Sequence, residues 1–402
     1  MILAIETSCD ETAAAVTSGR KVLSNEIYSQ VLVHQKWGGV VPSLAKRAHE
    51  ERIDAVIEAA LKKSLSRNIN FRRRELGSRH RQDRSSPVGR SLPQTFTSDE
   101  NIIASAMKDI SHIAVTHGPG LAIALEVGIR KAKELCRKYR KKLVAVNHME
   151  GHIYSCFVQS SGSRLVRPFE FPYLALLVSG GHTELVLFNQ HVKYQVVGET
   201  LDDAAGESLD KAAKMLGLGY PGGPIIERLA RDGDSSFLDL PIPMARSGDL
   251  NFSYSGLKTA FLYKVRVMSD RERNKHLADL AASFQQAVID SLLFKLERAM
   301  KKFNIYNVCV GGGVVANQEL RGHIRKLVKK HKGKVLFPTY KSLYGDNAAM
   351  IGVAAHFKAE KGIFVQDLEN LDRVPRASLN SADFPGVRAT FRSGNGSIIL
   401  EK

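Results

Sequence analysis

The chain has 402 residues, 44% of them hydrophobic, which is enough for two domains with buried cores. Its formal charge of +17 favours a polyanionic partner, above all a nucleic acid. No apolar run reaches the length of a membrane span, and the 4 scattered cysteines argue for a reducing compartment and against a cysteine-built zinc site. Because the apolar run Met1–Ile5 starts at residue 1, we expect no leader peptide and a cytoplasmic protein.

Two stretches predict strand–turn–strand hairpins with small or polar turns, one from Leu3 to Val16 and one from Tyr173 to Phe188. Each hairpin would begin a lobe of alternating strands and helices, so the chain is predicted to be a duplicated α/β protein. The expected divisions are a first lobe at 1–165, a second lobe at 166–345, a closing helix at 346–373 and a loose tail at 374–402.

Residues 64–100 interrupt this alternation. The segment is rich in Arg, Ser, Pro and Gly and poor in apolar residues, which favours a mobile surface insertion. Between Arg67 and Arg90, eight arginines stand against one glutamate and one aspartate, a net charge of +6. The rest of the chain still carries +11 of the total +17, so its basic character does not depend on the insertion.

Outside the hairpins and the insertion, the apolar patterns of both lobes predict buried strands followed by helices. In the first lobe, a strand at Ile113–Thr116 is followed by a helix from Ala122 to Lys142. The basic end of this helix is typical of a solvated helix terminus, and a direct contact with nucleic acid, either tRNA or DNA, is the alternative. In the second lobe, a long amphipathic helix is predicted from about Lys275 to Lys302, followed by a strand at Asn307–Val310.

Two histidines four residues apart, His148 and His152, follow the apolar run Leu143–Val146. Residues i and i+4 share one face of a helix, so both imidazoles could reach a single metal ion, although two surface histidines without a metal would fit the same spacing. Glu150 is rotated by roughly 200° from His148 and is expected to face away from the ion. In the zinc-protease motif the acid directly follows the first histidine, so this spacing disfavours an endopeptidase.

Two glycine-rich turns, Val178–Thr183 and Gly311–Asn317, follow predicted strands. Such turns offer backbone N–H groups at close approach, which suits a phosphate or a carboxylate, and three glycines would let a base or ribose lie against the backbone. Glycines in hairpins frequently serve only to permit positive φ. Asn317 could hold the ligand or simply cap the next helix.

An acidic stripe is predicted between these turns. Asp203, Glu207 and Asp210 fall on one face of a predicted helix, which in a basic protein suggests contact with ribose hydroxyls or a cation. Glu227, one turn past Pro224, could join the same contact. Phosphate turns, an acidic helix and a glycine-rich loop divided over two α/β lobes together indicate the actin-like ATPase architecture.

Motifs along nearly the whole chain, outside the insertion and the tail, resemble those of the TsaD family, the tRNA N6-adenosine threonylcarbamoyltransferases. The matching segments are 5–12, 39–42, 118–121, 148–152, 179–183, 202–210, 220–224, 252–259 and 346–350. The resemblance implies an α/β fold of two RNase H-like lobes in the actin-like ATPase architecture, with the active site in the cleft between the lobes.

The resemblance also implies the site residues. His148, His152 and Asp346 would be the protein ligands of one divalent metal, with Fe²⁺ expected first and Zn²⁺ second. The residues implied to surround the adenylate substrate are Leu177, Val178, Ser179, Gly180, Gly181, Asp210, Gly223, Glu227 and Asn317. Without the resemblance, Asp346 before Asn-Ala-Ala-Met would pass for a helix N-cap.

The implied reaction transfers a threonylcarbamoyl group from threonylcarbamoyl-adenylate to N6 of the adenosine beside the anticodon, in tRNAs that read codons starting with A, and releases AMP. Asp10 or Glu11 is the candidate acceptor of the N6 proton, and a turn-stabilising aspartate is the alternative. The implied partners are tRNA, a TsaB-like paralogue and a TsaE-like ATPase, with no membrane.

Two other functions fit parts of the pattern. A sugar or acetate kinase on the same fold would explain the phosphate turns, but kinases hold Mg²⁺ through phosphates and carboxylates and give a histidine pair no task. A non-catalytic scaffold could bind nucleotide and partner proteins, but it would not need an intact set of metal ligands.

Overall fold

The computed structural model describes residues 1–79, 99–162 and 167–380. Two β-sheets with flanking helices form its framework. The strands of the first sheet are β1 (Ile2–Glu6), β2 (Glu11–Ser18), β3 (Lys21–Ser29), β4 (His112–Gly118), β5 (Lys142–Asn147) and β6 (Gln159–Ser160). The strands of the second sheet are β7 (Tyr173–Val178), β8 (Thr183–Gln190), β9 (Lys193–Glu199), β10 (Asn307–Gly311) and β11 (Lys334–Leu336).

The two sheets share one topology, apart from the short edge strand β6 of the first. The first has the order β5-β4-β1-β2-β3-β6 and the second the order β11-β10-β7-β8-β9. In each, an antiparallel meander of three strands is extended by two parallel strands beside its first strand. Both predicted hairpins are therefore present, and the repeated strand order confirms the duplicated α/β prediction.

Helices connect the strands and cover the sheets. They are α1 (Val31–His34), α2 (Pro42–Arg79), α3 (Asp99–Asp109), α4 (Ala122–Tyr139), α5 (His148–Ser155), α6 (Ala205–Met215), α7 (Gly222–Ala230), α8 (Ser255–Arg266), α9 (Asp270–Lys275), α10 (Leu277–Phe303), α11 (Gln318–Lys330) and α12 (Ala348–Glu360). Short 3₁₀ turns lie at 35–37, 313–316 and 341–343. Among the described residues, no helix combines the length and the apolar character needed to cross a membrane.

Alternating side chains on the strands divide the buried residues into three clusters. Leu3 and Ile5 of β1 pack on the outer side of the first sheet, whereas Ile2 and Ala4 face a cluster between the two sheets. That central cluster also contains residues of α5 and α12. A third cluster covers the outer side of the second sheet. The helices α5 and α12 are therefore fixed by packing at the interface of the lobes.

Two predicted helix boundaries need correction. The helix predicted from Ala122 to Lys142 ends at Tyr139, because Arg140 adopts a left-handed conformation with φ of 52° and Lys142 already begins β5. The long helix of the second lobe begins at Leu277 and is preceded by the separate short helix α9.

The predicted insertion and tail also differ from expectation where they are described. Helix α2 continues to Arg79, so the backbone of residues 64–79 is helical rather than irregular. Residues 374–380, predicted to be loose, pack against the first lobe, and Leu379 is only 1% exposed. The rest of the insertion up to residue 98 and the tail from 381 lie outside the described residues, and their predicted mobility stays a prediction.

Candidate active site between the lobes

Helix α5 carries the histidine pair and starts at a well-defined cap. β5 ends at Asn147, whose Oδ1 accepts hydrogen bonds from the backbone N–H groups of Met149 at 2.8 Å and Glu150 at 3.4 Å. All eight residues of the helix are buried. The cap and the packing together hold His148 and His152 on one face of the helix, as the spacing predicts.

The structure brings His148, His152 and Asp346 together. Asp346 Oδ1 lies 3.4 Å from His148 Nε2 and 3.2 Å from His152 Nε2, and one donor atom of each residue lies within 4.8 Å of the others. Apart from this carboxylate, neither ring nitrogen of the buried His152 has a hydrogen-bond partner among the described residues. Two imidazoles and one carboxylate form the donor set of many catalytic zinc and non-haem iron sites, so these residues fit one divalent ion.

Glu6, at the end of β1, orients the first histidine. Its Oε2 lies 3.1 Å from His148 Nδ1, and Ser8 Oγ lies 3.1 Å from the same nitrogen. The hydroxyl of Thr116 and the backbone N–H of Ser8 donate to Glu6, each at 2.6 Å. This hydrogen bonding directs Nε2 of His148 toward Asp346, the usual role of a carboxylate behind a metal-binding histidine.

The charges of this group reinforce one another. Burial opposes the charged form of each residue, but Asp346 and Glu6 outweigh it and raise the pKa of His148 well above its usual value. The same contacts, chiefly that with His148, hold the pKa of Glu6 and the pKa of Asp346 below their usual values despite burial. The sequence alone assigns no role to Glu6, although a carboxylate at the end of the apolar strand Ile2–Ile5 is a typical position for a functional residue.

Glu150 faces the opposite side of α5, as predicted. Its carboxylate accepts a hydrogen bond from the hydroxyl of Tyr194 at 2.8 Å and lies 3.4 Å from Lys358 Nζ. Glu150 is fully buried and Lys358 is 1% exposed. This ion pair joins α5 to α12, the helix that begins two residues after Asp346, so both ligand-bearing segments are connected behind the site.

The turn between β1 and β2 carries the two candidate proton acceptors, Asp10 and Glu11. His49 of α2 holds this turn, with Nε2 3.0 Å from the carbonyl oxygen of Cys9 and Nδ1 2.7 Å from Thr12 Oγ1. Asp10 is buried. Burial, followed by the charges of Asp346 and Asp10, raises the pKa of Glu11 well above its usual value. Glu11 is therefore close enough to Asp346 for the two carboxylates to influence each other's charge.

Across the cleft, Ser179–His182 form a tight turn between β7 and β8. The backbone N–H of Ser179 donates to the carbonyl of His182 at 2.9 Å, and the N–H of His182 donates to Ser179 Oγ at 3.0 Å. A Cβ added to Gly180 or Gly181 would meet nothing within 4 Å, so the turn presents an open backbone surface. Leu177 and Val178 are fully buried at the end of β7.

The run Gly311–Gly313 has a different role from the one predicted. A Cβ on Gly311 would lie 2.3 Å from the carbonyl oxygen of His152, and one on Gly312 would lie 2.3 Å from that of Val178. Gly312 also has a φ of 100°. Two of the three glycines therefore allow β10 and the following turn to pack against α5 and β7, and only Gly313 faces open space.

Four of the predicted substrate residues meet through capping contacts. Asp210 Oδ1 accepts hydrogen bonds from the N–H groups of Gly222 at 2.7 Å and Gly223 at 3.0 Å, at the start of α7. Glu227 Oε1 accepts from the N–H of Gln318 at 3.0 Å. Asn317 caps α11 by accepting from the N–H of Leu320 at 2.9 Å, in agreement with the capping alternative.

The acidic stripe is shorter than predicted. Asp203 precedes α6, and its carboxylate pairs with Lys211 at 2.7 Å and with Lys258. These two lysines account for its charge without a ligand. Of the predicted stripe, Glu207 and Asp210 remain on the helix.

His182 is a site residue that sequence reasoning missed. It ends the Ser179–His182 turn and is close enough to the metal-ligand group for His148 and His152 to influence its titration. Burial, and then these two histidines, lower the pKa of His182 to about 4, so its ring is neutral at physiological pH.

Known proteins resemble this chain over most of its length. The model of the family TsaD, tRNA N6-adenosine threonylcarbamoyltransferase, matches residues 21–72 and 100–353. The protein of that name in Bacillus subtilis (strain 168) is 42% identical over 365 residues, 90% of this chain and 91% of the relative. The one in Endomicrobium trichonymphae is 42% identical over 380 residues, 94% of this chain and 97% of the relative.

The chain therefore belongs to the TsaD family. Family membership and the repeated sheet topology together confirm the predicted fold, a mixed α/β protein of the actin-like ATPase type. The histidine pair and Asp346 lie beside the buried cluster between the two sheets.

Proposed function

We propose that this chain transfers the threonylcarbamoyl group of threonylcarbamoyl-adenylate to N6 of the adenosine beside the anticodon, in tRNAs reading codons that start with A, and releases AMP. The observation that carries the proposal is the pairing of a two-histidine, one-aspartate group with an open backbone turn across one cleft. A zinc endopeptidase is disfavoured because Glu150, the acid of the histidine motif, is bound to Tyr194 and Lys358 on the far side of α5.

The difficulty of the reaction is the nucleophile. The lone pair of the exocyclic amine is delocalised into the purine ring, so the enzyme must align N6 with the carbamoyl carbon more than it must deprotonate it. His148, His152 and Asp346 would hold one divalent ion, Fe²⁺ or Zn²⁺. Such an ion supplies a Lewis acid that stabilises negative charge on substrate oxygens. Glu6 keeps the first histidine in the orientation that binding requires.

We place the adenylate on the second-lobe wall of the cleft. The N–H groups of Gly180 and Gly181, in the open turn, suit its phosphate. Asp210 and Glu227 each use one carboxylate oxygen to accept backbone N–H groups, which leaves the other for a ribose hydroxyl. Gly223 and Asn317 border the same surface, where Asn317 acts as a helix cap that supports the loop.

The proton released from N6 needs an acceptor on the first-lobe side. In the transfer, the N6–carbon bond forms, the bond from the carbamoyl carbon to the phosphate oxygen breaks, and AMP leaves. The proton passes to Glu11 or Asp10. Burial and the charges of Asp346 and Asp10 raise the pKa of Glu11, which makes its carboxylate a stronger base than a free one.

Nucleoside mass spectrometry tests the proposal. Unmodified tRNA is incubated with threonylcarbamoyl-adenylate and the protein, and the digested nucleosides are analysed. We expect threonylcarbamoyl-adenosine in tRNAs that read codons starting with A, and none with the His148→Ala variant. Absence of the modified nucleoside with metal-loaded protein and its partners would contradict the proposal.

We further propose that the enzyme works in the cytoplasm with a TsaB-like paralogue and a TsaE-like ATPase. Membership in a family whose bacterial members resemble one component of such a complex supports this, and the free cysteines Cys9, Cys136, Cys156 and Cys309 suit a reducing compartment. The expected result is that multiple turnovers require both partners. Equal steady-state rates with and without them would count against the complex.

A further inference from the structure

Residues Val374–Asn380, here called the C-terminal strap, cross the site after the last helix. They lie beyond the part of the chain that the family model matches, which ends at residue 353. The N–H of Val374 donates to the carbonyl of His117 at 2.7 Å, and the N–H of Gly120 donates to the carbonyl of Pro375 at 3.1 Å. A Cβ on Gly118 would lie 1.9 Å from the carbonyl oxygen of Val374, so the strap packs directly on the loop between β4 and α4.

The strap also reaches the cap of the metal-binding helix. The side-chain N–H of Asn147 donates to the carbonyl of Ser378 at 3.2 Å. An asparagine amide has its donor and its acceptor on opposite arms. With Nδ2 bound to Ser378, Oδ1 must point toward the first N–H groups of α5, where it caps Met149 and Glu150. Ser378 therefore fixes the orientation of the amide that starts the helix of His148 and His152.

The end of the strap contacts the second lobe. Asn380 Oδ1 accepts a hydrogen bond at 3.0 Å from the N–H of Val196, on the edge strand β9. The side chain of Leu379 is buried in the cluster between the sheets. A single segment of seven residues thus touches the first-lobe loop, the cap of α5 and the edge of the second sheet.

We propose that the C-terminal strap is a positioning element of the site, which fixes the start of α5 and the approach of the two lobes. Its residues act through Asn147 and the loop at His117–Gly120 and do not themselves touch substrate. The inference rests on the proposed function for the reaction that it serves, but its effect on the metal ligands is independent of tRNA. Loss of such outer contacts typically weakens metal binding by about 10–100-fold.

Two truncations of the full chain test the strap. One ends at Arg373 and removes the strap, and the other ends at Asn380 and keeps it, as the matched control. Zn²⁺ is titrated into each metal-free protein, and hydrogen exchange is followed at the backbone of α5. We expect the shorter protein to bind Zn²⁺ about 10–100-fold more weakly and to exchange faster at Met149 and Glu150. The control should equal the full chain in both measurements.

Equal Zn²⁺ affinity in the two truncations, or an equal loss in both, would overturn the proposal. A full-length variant, Asn147→Asp, covers the case in which the shorter protein does not fold. Its carboxylate can still cap α5 but cannot donate to Ser378, so we expect faster exchange at the first turn of α5; because the new charge itself attracts a cation, exchange alone is compared in this variant. Unchanged exchange in this folded variant would also refute the role of Ser378. Because neither measurement uses tRNA or adenylate, both remain informative if the transfer reaction is not found.

Discussion

The two walls of the cleft are built from different chemical groups. On the first-lobe side, charged side chains converge: His148, His152 and Asp346, with Glu6 behind them. On the second-lobe side, the surface consists mainly of backbone, and Asp210 and Asn317 are engaged as helix caps. The first wall suits an ion and the second suits the phosphate and ribose of a nucleotide.

This difference determines how each wall is stabilised. The side-chain wall keeps ionised groups together in a buried place, which is tolerable only when they are paired and hydrogen-bonded. The backbone wall depends on close approach between chain segments. At Gly206, for example, an added Cβ would lie 2.5 Å from the carbonyl oxygen of Ser179, so a side chain there would clash. Substitutions should therefore act through charge on one wall and through steric contact on the other.

The largest effect is expected from the ligands of the first wall. His152→Ala and Asp346→Asn should each lose the bound metal and lower the transfer rate by about a thousandfold or more, since Lewis-acid stabilisation is worth several kcal/mol. Elemental analysis and single-turnover kinetics measure both effects. The surface variant His323→Ala is the control. Full metal occupancy in either site variant would show that the substituted residue is not a metal ligand.

The ion pair behind α5 should give the next largest effect. Glu150→Gln removes the carboxylate that faces the buried ammonium of Lys358 and should lower the free energy of unfolding by about 3 kcal/mol. The double variant Glu150→Leu with Lys358→Met removes both charges and should recover most of that loss. Urea unfolding of the metal-free proteins measures these values. If the double variant is as unstable as the single one, the two residues are not energetically coupled.

The sequence predicted the elements whose side-chain patterns are regular. Both hairpins and the histidine helix follow from apolar alternation and from the i, i+4 spacing, which local physics imposes. Asp346 was reachable only through the family resemblance, because its contact with His148 joins residues far apart in the chain. Glu6 and His182 were missed since a polar residue at a strand end has many possible roles until the packing is known.

The C-terminal strap was predicted wrongly for a related reason. Only two of its side chains are buried, Ala377 and Leu379, and two are too few to make a pattern. Its other contacts use backbone groups, such as the N–H of Val374 and the carbonyl of Ser378, which every residue type possesses. The same limit applies to Gly311 and Gly312, whose need for close packing is invisible until the opposing carbonyls are located.

A smaller effect is expected from Glu184 on β8, beside the boundary of the two walls. Burial, and then the charge of its cross-strand neighbour Glu199, raise the pKa of Glu184 from the usual 4.5 to about 7. Below pH 4.5 the carboxyl is protonated in both folded and unfolded chains. As pH rises to 7, the unfolded chain ionises first, so the native state loses about 1–3 kcal/mol of stability.

The variant Glu184→Gln should remove this pH dependence. It should match the parent protein at pH 4.5 and exceed its stability at pH 8, as measured by urea unfolding without metal. Glu199→Gln, which removes only the neighbouring charge, should shift the profile in the same direction by a smaller amount. Parallel stability profiles of Glu184→Gln and the parent from pH 4.5 to 8 would show that the carboxyl is not held protonated.

The smallest effect should come from the open backbone of the second wall. In Gly181→Ala the added methyl meets no protein atom within 4 Å, so the melting temperature should stay unchanged. If the adenylate lies on the Ser179–His182 turn, the methyl occupies its place, and the KM for adenylate should rise about tenfold, the usual consequence of one misplaced methyl group. Gly248→Ala, in an equally open loop, is the control. An unchanged KM in Gly181→Ala would show that the adenylate does not bind at this turn.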